Sequence, residues 1–140
     1  MSINVKSTNE LLSLLKNECK AKELVESIVG SNQVIALSID DIKEVLTSGS
    51  IVFSSEGNGP STEQAINNAL RPLQSQCDIK NANAFLFSYF MPKENSSSIL
   101  DDMNEIDTFF DSFSSTTIIR WGMSLNCQSN NYTVKLLVIQ

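Results

Sequence analysis

Residues 84–91 read AFLFSYFM, and Ser88 is the single polar position among them. A strand with one face in water alternates polar and apolar residues; this one does not, so it is covered on both faces. Three further segments read as strands. Ser50 to Ser55 is short, Thr116 to Leu125 places Ile119, Trp121, Met123 and Leu125 on one face, and Tyr132 to Ile139 reads YTVKLLVI.

Helix starts are marked by a repeated local signal, a serine followed three residues later by an acid or amide: Ser7 with Glu10, Ser38 with Asp41, Ser61 with Gln64, and Ser98 with Asp101. The hydroxyl accepts from an orphan amide of the first turn, and the later side chain reaches back to the cap. The first helix is expected to run to about Val29, with Leu11, Leu14, Leu15, Leu24, Val25 and Ile28 apolar and Gly30 ending it. Its polar middle, Lys16 to Lys20, is a candidate break. The second spans Ile39 to about Leu46. The third carries Ala65, Ile66, Ala69, Leu70 and Leu73, and Pro72 predicts its end near Leu70. In the fourth, Ile99, Met103, Ile106, Phe110 and Phe113 recur at helical spacing opposite Asp101, Asp102, Glu105, Asp107 and Asp111.

After the first two helices the order is β-α-β-α-β-β. Helical crossovers favour parallel pairing among the first three strands, and the last strand can run antiparallel. The expected fold class is therefore α/β and two-layer, with a mixed four-stranded sheet and helices packed on it.

Composition narrows the chemistry. The 140 residues, 41% hydrophobic, fit one folded domain. There is no histidine, and the three cysteines, Cys19, Cys77 and Cys127, form no CxxC pair. Neither a zinc site nor a disulfide framework is expected, and Ser/His or Cys/His nucleophile pairs are excluded. A formal charge of −6 argues against gripping a phosphate backbone, so no nucleic acid is expected as partner. No apolar run approaches the ~20 residues of a membrane span, and the first residues lack signal-peptide character, which predicts a cytoplasmic protein. Neither a metal nor a cofactor is expected. The acids of the fourth helix read as a solvated face, Trp121 as core, and the segment PKENSS (Pro92 to Ser97) as an ordinary surface loop.

Several segments follow one another in a telling order: LSIDDIKEVL (Leu37 to Leu46), Gly49 and a short strand, Gly57 and Gly59, the helix STEQAINNALRPL, DIKNANAFLFSYF (Asp78 to Phe90), TIIRWGMSL and YTVKLLVIQ. From Val34 to the end this order resembles the C-terminal domain of FtsZ, the bacterial relative of tubulin. The first segment is similar to that family's V-D-F-A-D-V-R-x-V-M loop and helix. DIKNANAFLFSYF is similar to its D-I-x-G-A-x-G-V-L-V-N-I, with Asn81 where a glycine is usual. The resemblance implies two parts: residues 1–33 as the end of the helix joining the family's two domains, and residues 34–140 as the C-terminal-like domain.

That resemblance also carries functional expectations. The family's G-G-G-T-G-T-G phosphate loop has no counterpart; Gly57-Asn58-Gly59 reads as a turn before a capped helix. The family's synergy loop offers two acids to the nucleotide of the neighbouring subunit. Asp41 matches the second, Ser38 stands at the first, and Asp40 occupies a position that is usually small; the alternative is that Ser38 and Asp41 only cap a helix. The sequence stops at Gln140, without the family's linker and partner-recruiting tail. The resulting expectation is a chain that is not an enzyme by itself and acts in assembly with FtsZ or another tubulin-like protein of cell-division filaments. Ser38, Asp40 and Asp41 form its partner-binding face, with Asp41 as the one candidate for a shared catalytic site if a separate GTPase domain completes it. A homo-oligomer is compatible with this. The leucine-rich stripe of the first helix either folds back on the sheet or forms an interface. The alternative is a small-molecule-binding protein or enzyme with a site between subunits.

Overall fold

The chain alternates helices and strands in the order α1 (Cys19–Val29), β1 (Asn32–Ile35), α2 (Ile39–Leu46), β2 (Val52–Gly59), α3 (Thr62–Gln74), β3 (Ala84–Pro92), α4 (Ile99–Asp111), β4 (Ile118–Asn126) and β5 (Tyr132–Ile139), with one 3₁₀ turn at Ile79–Asn81. The computed structural model describes residues 12–15, 19–29, 32–35, 37–92, 99–126 and 130–140, with backbone alone at 32–34, 99–103, 105 and 126. The serine signals at Ser7 and Ser98 therefore lie outside the described residues, as do Cys127 and the loop at 93–98.

All nine residues of β3 are buried, because helices cover the sheet on both sides. Its residues alternate between two cores. Phe85, Phe87, Tyr89 and Met91 join Ala65, Ile66, Ala69 and Leu73 of α3 and Ile106 of α4. Ala84, Leu86 and Phe90 join Leu24, Val25 and Ile28 of α1 and Ile42, Val45 and Leu46 of α2. Leu15 is also in this second core, so Leu15, Leu24, Val25 and Ile28 of the stripe fold back on the sheet while Leu14 stays exposed. Of the helix expected up to Val29, the backbone is helical at 12–14, turns at Leu15 and is helical from Cys19 to Val29, and residues 16–18 lie outside the described residues.

The mixed α/β sheet with packed helices is present, and two features extend it. Asn32–Ile35 adds a fifth strand, and α1 with α2 forms a layer on the second face. The strand order is β1-β4-β3-β5-β2. β3 and β4 pair in parallel, and β5 runs antiparallel to both β3 and β2. β2 thus runs in the same direction as β3 and β4 but does not pair with β3, because the last strand inserts between them.

Two local expectations are corrected. Gly57-Asn58-Gly59 is the end of β2, not a turn, with Gly57 opposite Val134 and Gly59 opposite Tyr132. The glycine is needed for close approach: a Cβ on Gly57 would lie 2.3 Å from the backbone nitrogen of Ala69 and 2.4 Å from the carbonyl oxygen of Ala65. The α3 backbone therefore lies directly on this end of β2. Helix α3 itself passes through Pro72 to Gln74 instead of ending near Leu70. Proline forfeits one amide donor near a helix end, while the fully buried Leu73 keeps the last turn on the core.

Phe85 is fully buried within the aromatic packing, with ring centroids 4.8 Å from Phe113, 5.9 Å from Phe109 and 6.3 Å from Phe87. Replacing it by alanine removes a fully buried ring from a dense aromatic cluster. Urea unfolding of Phe85→Ala should show a loss of about 3–5 kcal/mol. Exposed Asn67→Ala should stay within about 0.5 kcal/mol of the parent.

Candidate functional site

The three residues singled out in the sequence meet at the N-terminus of α2, at the rim of the sheet. Ser38 is the N-cap in extended conformation (φ −72°, ψ 160°). Its Oγ accepts from the Asp41 amide at 3.0 Å, and its own amide donates to Asp41 Oδ2 at 3.3 Å, so the reciprocal cap read from the sequence is formed. The corresponding signal at Ser61 is formed in one direction, with the Gln64 amide donating to Ser61 Oγ at 3.3 Å.

What places this cap is the crossing of the chain over β4. A Cβ on Gly122 would lie 2.8 Å from the Ile35 carbonyl oxygen and 2.8 Å from Leu37 Cγ. Glycine lets Ile35 and Leu37 close down on β4, and the buried Leu37 anchors the chain just before Ser38. The bulge between Gln33 and Ile35 turns β1 toward that crossing.

Arg120, on β4, is the residue that the sequence reading missed. Its Nη2 lies 2.5 Å from Glu44 Oε1 and its Nε 3.9 Å from Asp41 Oδ1. Asp41 and Glu44 share a face of α2 at a spacing of three, and that spacing was visible; which strand residue stands opposite depends on the sheet register and was not. Both Asp41 oxygens thus have partners on their own chain, one the Ser38 amide and the other Arg120. These side chains are about two-fifths exposed, so the pairs contribute at most about 1 kcal/mol each and mainly orient the carboxylates. Asp40 differs. It is exposed, and among the described residues its carboxylate takes part in no hydrogen bond or ion pair.

The chemistry this arrangement supports is contact. Two acids in the first turn of α2 suit the positive end of the helix dipole. Although Asp40, Asp41 and Glu44 lie close in sequence, no metal-binding group of three or more such side chains occurs among the described residues. Among the described residues no helix is long and apolar enough to cross a membrane. Trp121 is half-buried and packs on the first core, 6.2 Å from the Phe110 ring, as a core residue would. Asp107 and Asp111 are exposed on α4.

Cys77 lies beyond the end of α3. Burial, and secondarily the neighbouring Asp78 carboxylate, push its thiol pKa above the usual thiol range, and its Sγ donates to the Leu73 carbonyl at 3.6 Å. A raised pKa leaves less thiolate at any given pH, so this sulfur is a poor nucleophile at neutrality. In a Cys127→Ser background at pH 8, iodoacetamide should alkylate the exposed Cys19 several-fold faster than Cys77. Peptide mass mapping over time measures both rates.

No protein-family model and no curated protein matches the chain. Solved structures do. An empty dimer of FtsZ from M. jannaschii is similar at 18% identity with a TM-score of 0.68, over 95% of this chain and 43% of that one. A point mutant of the same FtsZ gives 21% identity and a TM-score of 0.70, over 99% and 42%. GDP-form protofilaments of TubZ from Bacillus thuringiensis serovar israelensis give 10% identity and a TM-score of 0.64, over 97% and 41%. The chain therefore has the fold found in part of FtsZ and TubZ, and it spans less than half the length of those chains. That agrees with the C-terminal-domain fold expected from the resemblance.

Proposed function

We propose that this chain is an assembly module that docks on tubulin-like filaments of the cell-division type through the rim at Ser38, Asp40 and Asp41, in the cytoplasm, without turning over nucleotide itself. The observation that carries this reading is the unequal use of the two acids. Asp41 is held by its own cap and by Arg120, whereas Asp40 is exposed beside it at a helix N-terminus. A pair of catalytic carboxylates needs both groups aimed at one substrate; one tethered and one outward acid instead suit a contact face fixed in orientation.

The similar folds support the choice of partner, since the solved relatives are a dimer, protofilaments and a four-stranded filament. The strand position of Gly57-Asn58-Gly59 supports the non-catalytic part, because glycines packed under α3 leave no free loop to cradle a phosphate.

Purified chain should pellet with GTP-assembled FtsZ and alter its assembly, and Asp40→Lys should weaken that co-sedimentation by about tenfold while leaving the circular dichroism spectrum unchanged. Absence of pelleting together with unchanged assembly would contradict the docking role. Phosphate release from GTP by the chain alone, lost in Asp41→Ala, would contradict the non-catalytic one.

A further inference from the structure

The two edges of the sheet are guarded very differently. At one edge β1 has four residues, and its pairing with β4 is interrupted by a bulge. At the other edge β2 has eight residues in continuous register with β5, from Val52 opposite Ile139 to Gly59 opposite Tyr132. Natural sheets blunt long edges with prolines, lysines or bulges; β2 has none of these and carries one charge, Glu56.

The hydrogen-bond register shows which backbone groups of β2 face outward. The Ile51 amide donates to the Gln140 carbonyl at 2.8 Å, and the Gln140 amide donates to the Ile51 carbonyl at 2.9 Å, so Ile51 is turned toward β5. Antiparallel ladders alternate, so Phe53, Ser55 and Gly57 are turned the same way, and Val52, Ser54, Glu56 and Asn58 point away from the sheet. The last of these is already occupied, since Asn68 Nδ2 of α3 donates to the Asn58 carbonyl at 2.7 Å. Among the described residues the open stretch is therefore Val52 to Glu56. Its residues Ser54 to Glu56 line a groove of about 610 Å³ between α1 and α3.

We propose that this edge pairs with β2 of a second copy of the chain, antiparallel about a two-fold axis beside Ser54. The open stretch is symmetric in the way such pairing requires. Ser54 meets its own copy, Val52 meets the partner's Glu56, and each of these three outward residues exchanges an amide and a carbonyl with the other chain. Like charges stay apart: the two Glu56 side chains are offset by four residues, about 14 Å along the strand, beyond the ~8 Å screening length at physiological salt. Ile51, 53% exposed and one of the two large hydrophobic residues exposed among those described, comes opposite the partner's Gly57. In strand order β3 and β5 separate this edge from β4, whose Arg120 faces the α2 rim, and the inference does not rest on the docking role.

Sedimentation equilibrium from micromolar to millimolar concentration should show reversible dimers. Ser54→Pro removes an outward amide and leaves the ladder to β5 intact, so it should give monomers with unchanged circular dichroism, while Ser54→Ala should still dimerise. With the three native cysteines changed to serine, Ser54→Cys should form an intermolecular disulfide on mild oxidation and Asn67→Cys should not. A monomer throughout the range overturns the proposal, and so does a dimer that Ser54→Pro leaves unchanged. Should Ser54→Pro fail to fold, the cysteine variants decide, and absence of the Ser54→Cys disulfide overturns it.

Discussion

The rest of the structure depends on β3 being buried from both sides. Phe85, Phe87, Tyr89 and Met91 point into one core and Ala84, Leu86 and Phe90 into the other, so one strand is the partition between two hydrophobic layers. Fully burying side chains of this size contributes roughly 1.5–3 kcal/mol each, more than any exposed ion pair in the molecule can offer. This burial also restricts function. With helices packed on both faces of the sheet, recognition is left to helix surfaces, helix ends and strand edges.

The rim is shaped by backbone contacts more than by charge. Gly57 lets α3 lie against the end of β2, and Gly122 lets the segment before α2 cross β4. A third device is the insertion of β5 between β3 and β2, which moves β2 to the outside of the sheet. Lys135 on β5 fastens the second layer to this arrangement, with its Nζ 2.7 Å from Ser27 Oγ, 3.4 Å from Glu56 Oε1 and 4.7 Å from the Phe90 ring centre. Such a lysine keeps its charge satisfied while its stem adds to the packing.

Much of this was legible in the sequence because its signals are local. The unbroken apolar run of β3, the limits of β5 and the reciprocal cap of Ser38 with Asp41 depend on neighbours within a few residues, and each is seen where the pattern placed it. The misreadings involve partners far along the chain. Gly57 and Gly59 looked like a turn because glycine is common in turns, and only the approach of α3 reveals them as strand positions. Pro72 looked like a stop because its cost is local, while the burial of Leu73 that offsets it is tertiary. Asn32–Ile35 is a strand through its pairing with β4, and nothing in four residues announces that. For the candidate site, the three residues and their cap were legible, whereas Arg120, which tethers Asp41 and Glu44, required the register of β4 against α2.

The proposed docking role places recognition at the rim, where Ser38, Asp40 and Asp41 form an acidic corner beside a sheet covered on both faces. Hydrogen–deuterium exchange of the chain with and without GTP-assembled FtsZ tests this most directly, because it reads protection segment by segment. Added filaments should slow exchange in peptides covering residues 37–42 and leave the already protected β3 unchanged. Protection confined to the outer surfaces of α3 and α4, with residues 37–42 exchanging as fast as in the free chain, would contradict it.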